Sequence, residues 1–350
     1  MTTWGESHGS AVGVVIDGCP SGLLLSKEDI QKQLFFRMSG KEYTSPRQET
    51  DMVEILSGVF EGKTTGMPIF LLIRNVDGKK EDYEDQQYII KPGHAAFTYL
   101  EKYGIFDYFG GGRASARETV CRVAAGAIAK KILEHFGIFV LAFVRSVGDL
   151  CIPYVNCEDP KTLDLLRKKS PILCPDETTS HQILQALEKI QQERDSIGGV
   201  VEAFAYHLPV GLGDPVYEKL SSNLAKALFS IPAVKGLEIG DGFQSARQKG
   251  SEHNDRFCIR DQEIALESNH CGGMLGGIST QGPLHVKVAF KPTPTIGKVQ
   301  KTVTTEKNEI EHSFQGRHDP CVAIRAVVVV ESMIQLVLVD ALLLQRCSRL

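Results

Sequence analysis

Three glycines, two arginines and a serine–glutamate pair crowd into Phe109-Gly110-Gly111-Gly112-Arg113-Ala114-Ser115-Ala116-Arg117-Glu118-Thr119. Ser115 followed three residues later by Glu118 reads as a capping box, so the spacing predicts a helix that starts here. A helix start offers free N–H groups and a positive dipole end, glycines let a ligand approach the backbone, and Arg113 and Arg117 add guanidinium forks. Together they describe an anion site, with phosphate the natural occupant. A plain capped helix with a flexible lead-in would account for Ser115 and Glu118, but less easily for three glycines and two arginines.

Other segments could also carry chemistry. Gly5-Glu6-Ser7-His8-Gly9 satisfies G-x-S-x-G, the nucleophile elbow of serine hydrolases. That elbow needs a strand before the serine and a helix after it. Only Met1 to Trp4 precede the motif, and Ala11 to Gly18 is β-branched and ends on Asp-Gly, so it reads as a strand entering a turn. The hydrolase reading is disfavoured; it would require covalent labelling of Ser7 by a fluorophosphonate. Ser268 to Ile278 holds two glycine pairs, which suit backbone approach to a flat ring or phosphate and equally suit close packing of two chain segments. Lys291-Pro292-Thr293-Pro294-Thr295 supplies hydroxyls and one cation after a strand. Gly316-Arg317-His318-Asp319-Pro320-Cys321 packs a guanidinium, an imidazole and a carboxylate together. Of ten histidines, His8 and His94 sit among glycines, where a loop can turn an imidazole toward a ligand. His135, His181, His207 and His312 read as structural.

The elements that must position these groups are legible in part. Strand patterns run over 11–16, 53–60, 68–73, 139–144, 200–207 and 284–290, and helical patterns over 116–135, 181–194, 217–229 and 328–344. In the first helix Val120, Ala124, Ala127, Ile128 and Ile132 share a face, and the small residues from Ala124 to Ala129 allow close packing. Strands outnumber helices without regular alternation, which favours an α+β layered fold over a doubly wound parallel sheet. Residues 156–181 read as a polar surface excursion, and no linker divides the chain, so a single domain over 1–350 is expected.

Composition narrows the function classes. Glycine, at 33 of 350 residues, exceeds the usual share of about 7%. The formal charge of −4 gives no general attraction to nucleic acid or anionic lipid. Nine scattered cysteines without a C-x-x-C pair suit buried thiols in a reducing compartment and neither zinc nor a disulfide framework. The apolar run 322–344 is interrupted by Arg325, Glu331, Gln335 and Asp340, short of an uninterrupted membrane span of about 18 residues. A cytoplasmic protein is expected, with a small-molecule substrate, no nucleic acid, no membrane and no metal.

In order and separation, GESHG, KPGHA, GGGRASARET, SNHCGG-LGGI, KPT and GRHDPC closely resemble the chorismate synthase family, from Thr2 to about Leu344. The resemblance implies an α+β fold, a β-α-β sandwich of two antiparallel sheets enclosing a helical layer. It implies a lyase that eliminates phosphate from 5-enolpyruvylshikimate 3-phosphate to give chorismate, with reduced FMN as cofactor. FAD and NADP are associated nucleotides, with NADPH the indirect reductant. It further implies a homotetramer; the compact length without a long insertion favours a separate flavin reductase over reduction of the flavin by the chain itself. His8 matches the acid toward the departing phosphate and His94 the histidine that protonates the flavin near N1. Asp319 matches the carboxylate that takes a proton from N5, with Ser7 and Ser115 as a relay. Flavin contacts fall on Arg113, Ala114, Ser115, Gly276, Lys291, Pro292, Thr293, Pro294, Thr295 and Arg317; Arg37, Arg47 and Arg117 match substrate or nicotinamide-phosphate contacts. The chain departs from the family pattern at Ala114, Pro232, Pro294 and Thr295, at Met38 and Ser39, and in starting where relatives have a strand before GESHG. A relative that binds phosphate ligands without catalysis is the competing reading.

Overall fold

The computed structural model of the chain describes residues 1–38, 50–76, 86–314 and 319–348. The alternating apolar segments form two antiparallel sheets. The first contains β1 (Thr2–Trp4), β2 (Ala11–Ile16), β3 (Val53–Ser57) and β4 (Ile69–Arg74), in the order β1-β2-β4-β3. The second contains β5 (Phe139–Val147), β6 (Leu150–Cys151), β7 (Gly199–Tyr206), β8 (Val234–Ile239) and β9 (Leu284–Phe290), in the order β8-β9-β7-β5-β6. The expected strand over 53–60 breaks at Gly58, whose φ of +80° and contact with Ile69 and Pro68 leave no room for a side chain.

The helices are α1 (Lys27–Arg37), α2 (Ala96–Tyr103), α3 (Thr119–His135), α4 (Pro160–Lys169), α5 (Glu177–Gln192), α6 (Leu220–Phe229) and α7 (Val322–Gln345). α3 packs against β2 and β4 of the first sheet and, with α7, against β5 of the second; α7 also covers β7 and β9. The expected one-sided α3 is instead buried nearly all round from Thr119 to Ala129, because elements lie on both of its sides. Its small residues permit this: a Cβ on Gly126 would stand 2.3 Å from Ser332 Cβ of α7. By length and composition α7 could cross a membrane, yet two thirds of its most apolar stretch (67%) is buried inside the protein. Its charged Glu331 is paired with Arg167 of α4 and accepts from Ala142 N–H.

Two expectations need correction. The strand expected to be missing before GESHG is present as β1, paired with β2 from Thr2↔Val15 to Trp4↔Gly13. Three residues suffice because Trp4 stacks on Phe70 at 5.6 Å and lies directly over Gly13, where a Cβ would stand 2.3 Å from its ring. β2 and not a helix follows the motif, so the hydrolase elbow still fails. The supposed excursion 156–181 contains α4, started by Asp159, whose carboxylate accepts from Lys161 and Thr162 N–H, with Pro160 in the first turn.

Candidate active site

The segment 110–119 does not open directly into a helix. Gly110, Gly111 and Gly112 all have positive φ (+64°, +85° and +51°), and two 3-10 turns, 112–114 and 116–118, precede α3. Ser115 Oγ accepts from Arg117 N–H, but Glu118 does not complete the box. Its carboxylate is taken by Thr3 Oγ1 at 2.8 Å and by Arg122 Nε at 2.8 Å, partners that no local pattern announces.

The glycines bring backbone against both singled-out histidines. A Cβ on Gly110 would stand 2.2 Å from His8 Cε1, and one on Gly111 would stand 3.0 Å from His94 Nε2. Any side chain there would displace an imidazole. Ser115 Oγ donates to Ser7 Oγ at 3.2 Å, and Asn75 Nδ2 donates to the Glu6 and Gly9 carbonyls, closing the Ser7-His8 loop.

In front of Gly110 lies a cavity of about 780 Å³, a size suited to nucleotide-sized ligands. Arg37, His94, Arg113, Ala114, Ser115, Arg117, Lys291, Thr293, Pro294, Thr295 and Asp319 line it, as do Lys91, Lys235 and Arg325, to which the resemblance assigned no role. Ser7 and His8 are buried behind Gly110 and do not line it; neither does Pro292. Gly276 is also absent from the wall: it sits in the open turn between Met274–Leu275 and Ile278–Ser279. The rest of that glycine cluster is explained by close packing, with Gly272 against Gly240, Gly273 against Pro283 and Gly277 against Lys219. Arg47 and Arg317 lie outside the described residues.

The arginines expected to meet ligand are mainly braces. Arg37, buried, donates from Nε to Thr119 Oγ1 (3.1 Å), from Nη1 to Asp51 Oδ2 (2.9 Å) and from Nη2 to Ala116 O (3.0 Å). Arg117 pairs with the other oxygen of Asp51 and donates from Nε to Asn75 Oδ1 at 2.8 Å. Burial opposes ionisation of Asp51, but Arg37 and Arg117 outweigh it and hold its carboxyl below the usual range. Burial likewise lowers Arg37, to about 10, which leaves it protonated at neutral pH. Arg113 reaches back to Gly5 O (3.1 Å) and Thr3 Oγ1 (2.7 Å) but keeps about a third of its side chain exposed (34%). Arg325 donates from Nη1 to Asp319 Oδ2 at 3.0 Å and from Nε to Arg37 O at 3.1 Å. A continuous chain of contacts therefore runs from Asp319 through Arg325, Arg37, Asp51, Arg117 and Asn75 to the His8 loop.

The cations that face the cavity more openly are lysines. Burial lowers Lys91 to about 8, and burial with Lys235 nearby lowers Lys291, whose Nζ donates to Gly93 O. Burial first, then Lys91 and Lys291, push His94 down to about 4, so it is neutral at physiological pH. Ala96 N–H donates to His94 Nδ1 at 3.1 Å, which places the remaining proton on Nε2, the atom facing Gly111. In this state His94 offers a hydrogen bond from Nε2. Sequence reasoning missed Asp51, Asn75, Lys91 and Arg325. Only Lys91 had a visible cue, its place in Lys91-Pro92-Gly93-His94.

Comparison with known proteins fits this arrangement. The family model described as chorismate synthase matches residues 1–343. Over all of this chain and 97% of its own length, the chorismate synthase of Protochlamydia amoebophila is 54% identical. That of Porphyromonas gingivalis is 49% identical over all of this chain and 95% of its own, and that of Archaeoglobus fulgidus 49% identical over 99% and 95%. A solved structure titled "Crystal Structure of Chorismate Synthase" superposes with a TM-score of 0.79 and 33% identity, covering 98% of this chain and 90% of that one.

Proposed function

The chain belongs to the chorismate synthase family, and from that premise we propose how its own residues carry the reaction. The activity is that of a lyase in the shikimate route to aromatic amino acids, which eliminates phosphate from 5-enolpyruvylshikimate 3-phosphate to form chorismate; the non-catalytic alternative is not favoured. The family implies a reduced flavin. The cavity fits FMN: its volume accommodates a nucleotide, and Lys91, Lys235, Lys291 and Arg113 on its wall match a phosphate. Reduced FMN, when bound, supplies transient electron density to the breaking C–O bond and recovers it, so the reaction is redox-neutral overall.

The observation that carries the reading is the pair of histidines held against Gly110 and Gly111 at the wall of a cationic cavity. The lysines and Arg113 bind and orient the anionic groups of ligand. With its proton on Nε2, His94 would donate to the flavin ring when the cofactor is bound, and a bound anion would raise its proton affinity. Arg325 holds the Asp319 carboxylate as the proton acceptor, and the Ser7–Ser115 hydroxyl pair is the relay. His8 is the acid toward the departing phosphate, one glycine removed from the cavity. Thr293, Thr295, Ala114 and Pro294 shape the flavin pocket, with Thr293 Oγ1 donating to Asp319 O at 3.0 Å. Arg37 and Arg117 act through position, fixed by Asp51. Gly276, Pro292, Arg47 and Arg317 remain family assignments, as does NADPH supplied through a separate reductase.

Several coarser features extend the proposal. The contiguous apolar core supports a single domain, and helices between two antiparallel sheets support the sandwich architecture. The exposed apolar hairpin residues Phe257, Ile259 and Ile264 support assembly with further copies, a homotetramer by resemblance. Free cysteines support a cytoplasmic setting. Flavin binding tests the site directly: Gly111→Ala should weaken FMN binding by about tenfold or more while the protein stays folded, since tenfold corresponds to only about 1.4 kcal/mol. Unchanged affinity would remove the seating of His94 against Gly111 from the flavin site.

A further inference from the structure

Three chain segments meet beside the second sheet, away from the cavity, and gather side chains that the lyase chemistry does not use. Asp241 follows β8, His253 ends the helical turn Gly250–His253, and His270 and Cys271 follow the hairpin of Phe257–Arg260 and Glu263–Leu266. One ligand atom each from Asp241, His253 and His270 lie within 4.8 Å of one another; Cys271 Sγ, at the edge of that triad, is 3.7 Å from His253 Nε2. The backbone beneath them is fixed: Asp241 N–H donates to His270 O at 2.9 Å, and a Cβ on Gly272 would stand 2.4 Å from Gly240 N.

A second ring of contacts orients these groups. Gln248 Oε1 lies 2.9 Å from His253 Nδ1, while Gln248 Nε2 donates to Asp241 Oδ2 at 2.8 Å. His253 Nδ1 therefore carries the hydrogen, and Nε2 keeps its lone pair on the side of Cys271. The Asp255 carboxylate accepts from His270 N–H (2.7 Å), Cys271 N–H (3.0 Å) and Ser268 Oγ (2.7 Å), locking the His-Cys pair. Outer partners of this kind set the tautomer and direction of metal ligands. Across a tetrahedral zinc, a nitrogen at about 2.0 Å and a sulfur at about 2.3 Å stand about 3.6 Å apart. The separation of His253 Nε2 from Cys271 Sγ is already close to that value.

We propose that Asp241, His253, His270 and Cys271 form a four-ligand zinc site that pins residues 242–271 to the second sheet. Two imidazoles, a thiolate and a carboxylate suit zinc and disfavour magnesium or calcium, and four protein ligands make the site structural, with no open position. The scattered cysteine spacing gave no such indication, because Cys271 is joined to its partners only by the fold. The proposal stands apart from the lyase reading. The competing account is a polar network closed on itself through the Asp241–His270 contact at 2.8 Å.

The test uses the full chain, stripped with a chelator and titrated with Zn²⁺ or Co²⁺ alone. One metal per chain is expected, with Co²⁺ giving tetrahedral ligand-field bands and a thiolate-to-cobalt charge-transfer band. Cys271→Ser should abolish the charge-transfer band, and His253→Gln and His270→Gln should each weaken zinc binding by more than about 100-fold. Cys258→Ser should change neither. Zinc uptake no greater than that of the His253→Gln/His270→Gln double variant, or cobalt bound without a charge-transfer band, would overturn the proposal. If a variant fails to fold, the cobalt spectrum of the unaltered protein decides alone.

Discussion

His94 shows how local electrostatics change a residue's role. Burial with Lys91 and Lys291 lowers it from 6.5 to about 4, so at neutral pH it donates through Nε2 without carrying charge. Between those values the unfolded chain binds a proton that the native His94 refuses, so this group's contribution to stability falls as pH drops through 6.5 toward 4. NMR titration should place His94 near the lower value in the free protein and move it upward when phosphate or FMN enters; an unperturbed midpoint without ligand would contradict this. Loss of the donor in His94→Ala should reduce turnover by about 10²–10³, the usual cost of one transition-state donor. Gly110→Ala adds a methyl against His8 at a φ of +64° and should destabilise the fold by about 1–3 kcal/mol, read from denaturant midpoints. The glycine contexts made His8, His94 and Ser115 legible in sequence. Asp51, Asn75 and Arg325 were not, because each meaning depends on a partner brought in by the fold; Asp51, for example, meets Arg37 and Arg117 across 14 and 66 residues of chain.

At the scale of elements, the site is held by a few long-range ties between short pieces. β1 is three residues long, yet Arg113 and Glu118 fasten it to the turns before α3, and Trp4 seats it over Gly13. Asp51, itself at a φ of +45°, joins the end of α1 to those turns through Arg37 and Arg117. Asp51→Asn leaves two buried guanidiniums without their counter-charge and should cost about 3–5 kcal/mol, with a lower melting temperature and weaker anion binding together. A change in activity without a change in stability would place Asp51 in the chemistry instead. Strands at 11–16 and 284–290 and helices α3, α5, α6 and α7 were readable from apolar period. α4 was hidden by its polar composition despite the Asp159-Pro160 start, and the capping box at Ser115 failed because Glu118 found tertiary partners.

Over the whole molecule, charge is distributed against its own sum. A chain of net charge −4 concentrates cations around one cavity, so attraction for phosphate is local and not global. Lys91, lowered to about 8, must be protonated to serve it; FMN and phosphate affinity should therefore decline as pH rises beyond 8, and Lys91→Met should remove that decline. A pH-independent affinity would exclude Lys91 from anion binding. The family was legible because its motifs lie in loops with distinctive glycines, whereas the fold's layering depended on pairings far apart in the chain. The central claim is that this single cavity, on this chain, performs the phosphate elimination with reduced flavin. It is tested most directly by an anaerobic assay of purified protein with 5-enolpyruvylshikimate 3-phosphate and chemically reduced FMN. Equal amounts of chorismate and phosphate, produced over many turnovers without net flavin oxidation, are expected. Folded, flavin-binding protein that releases neither product would contradict it.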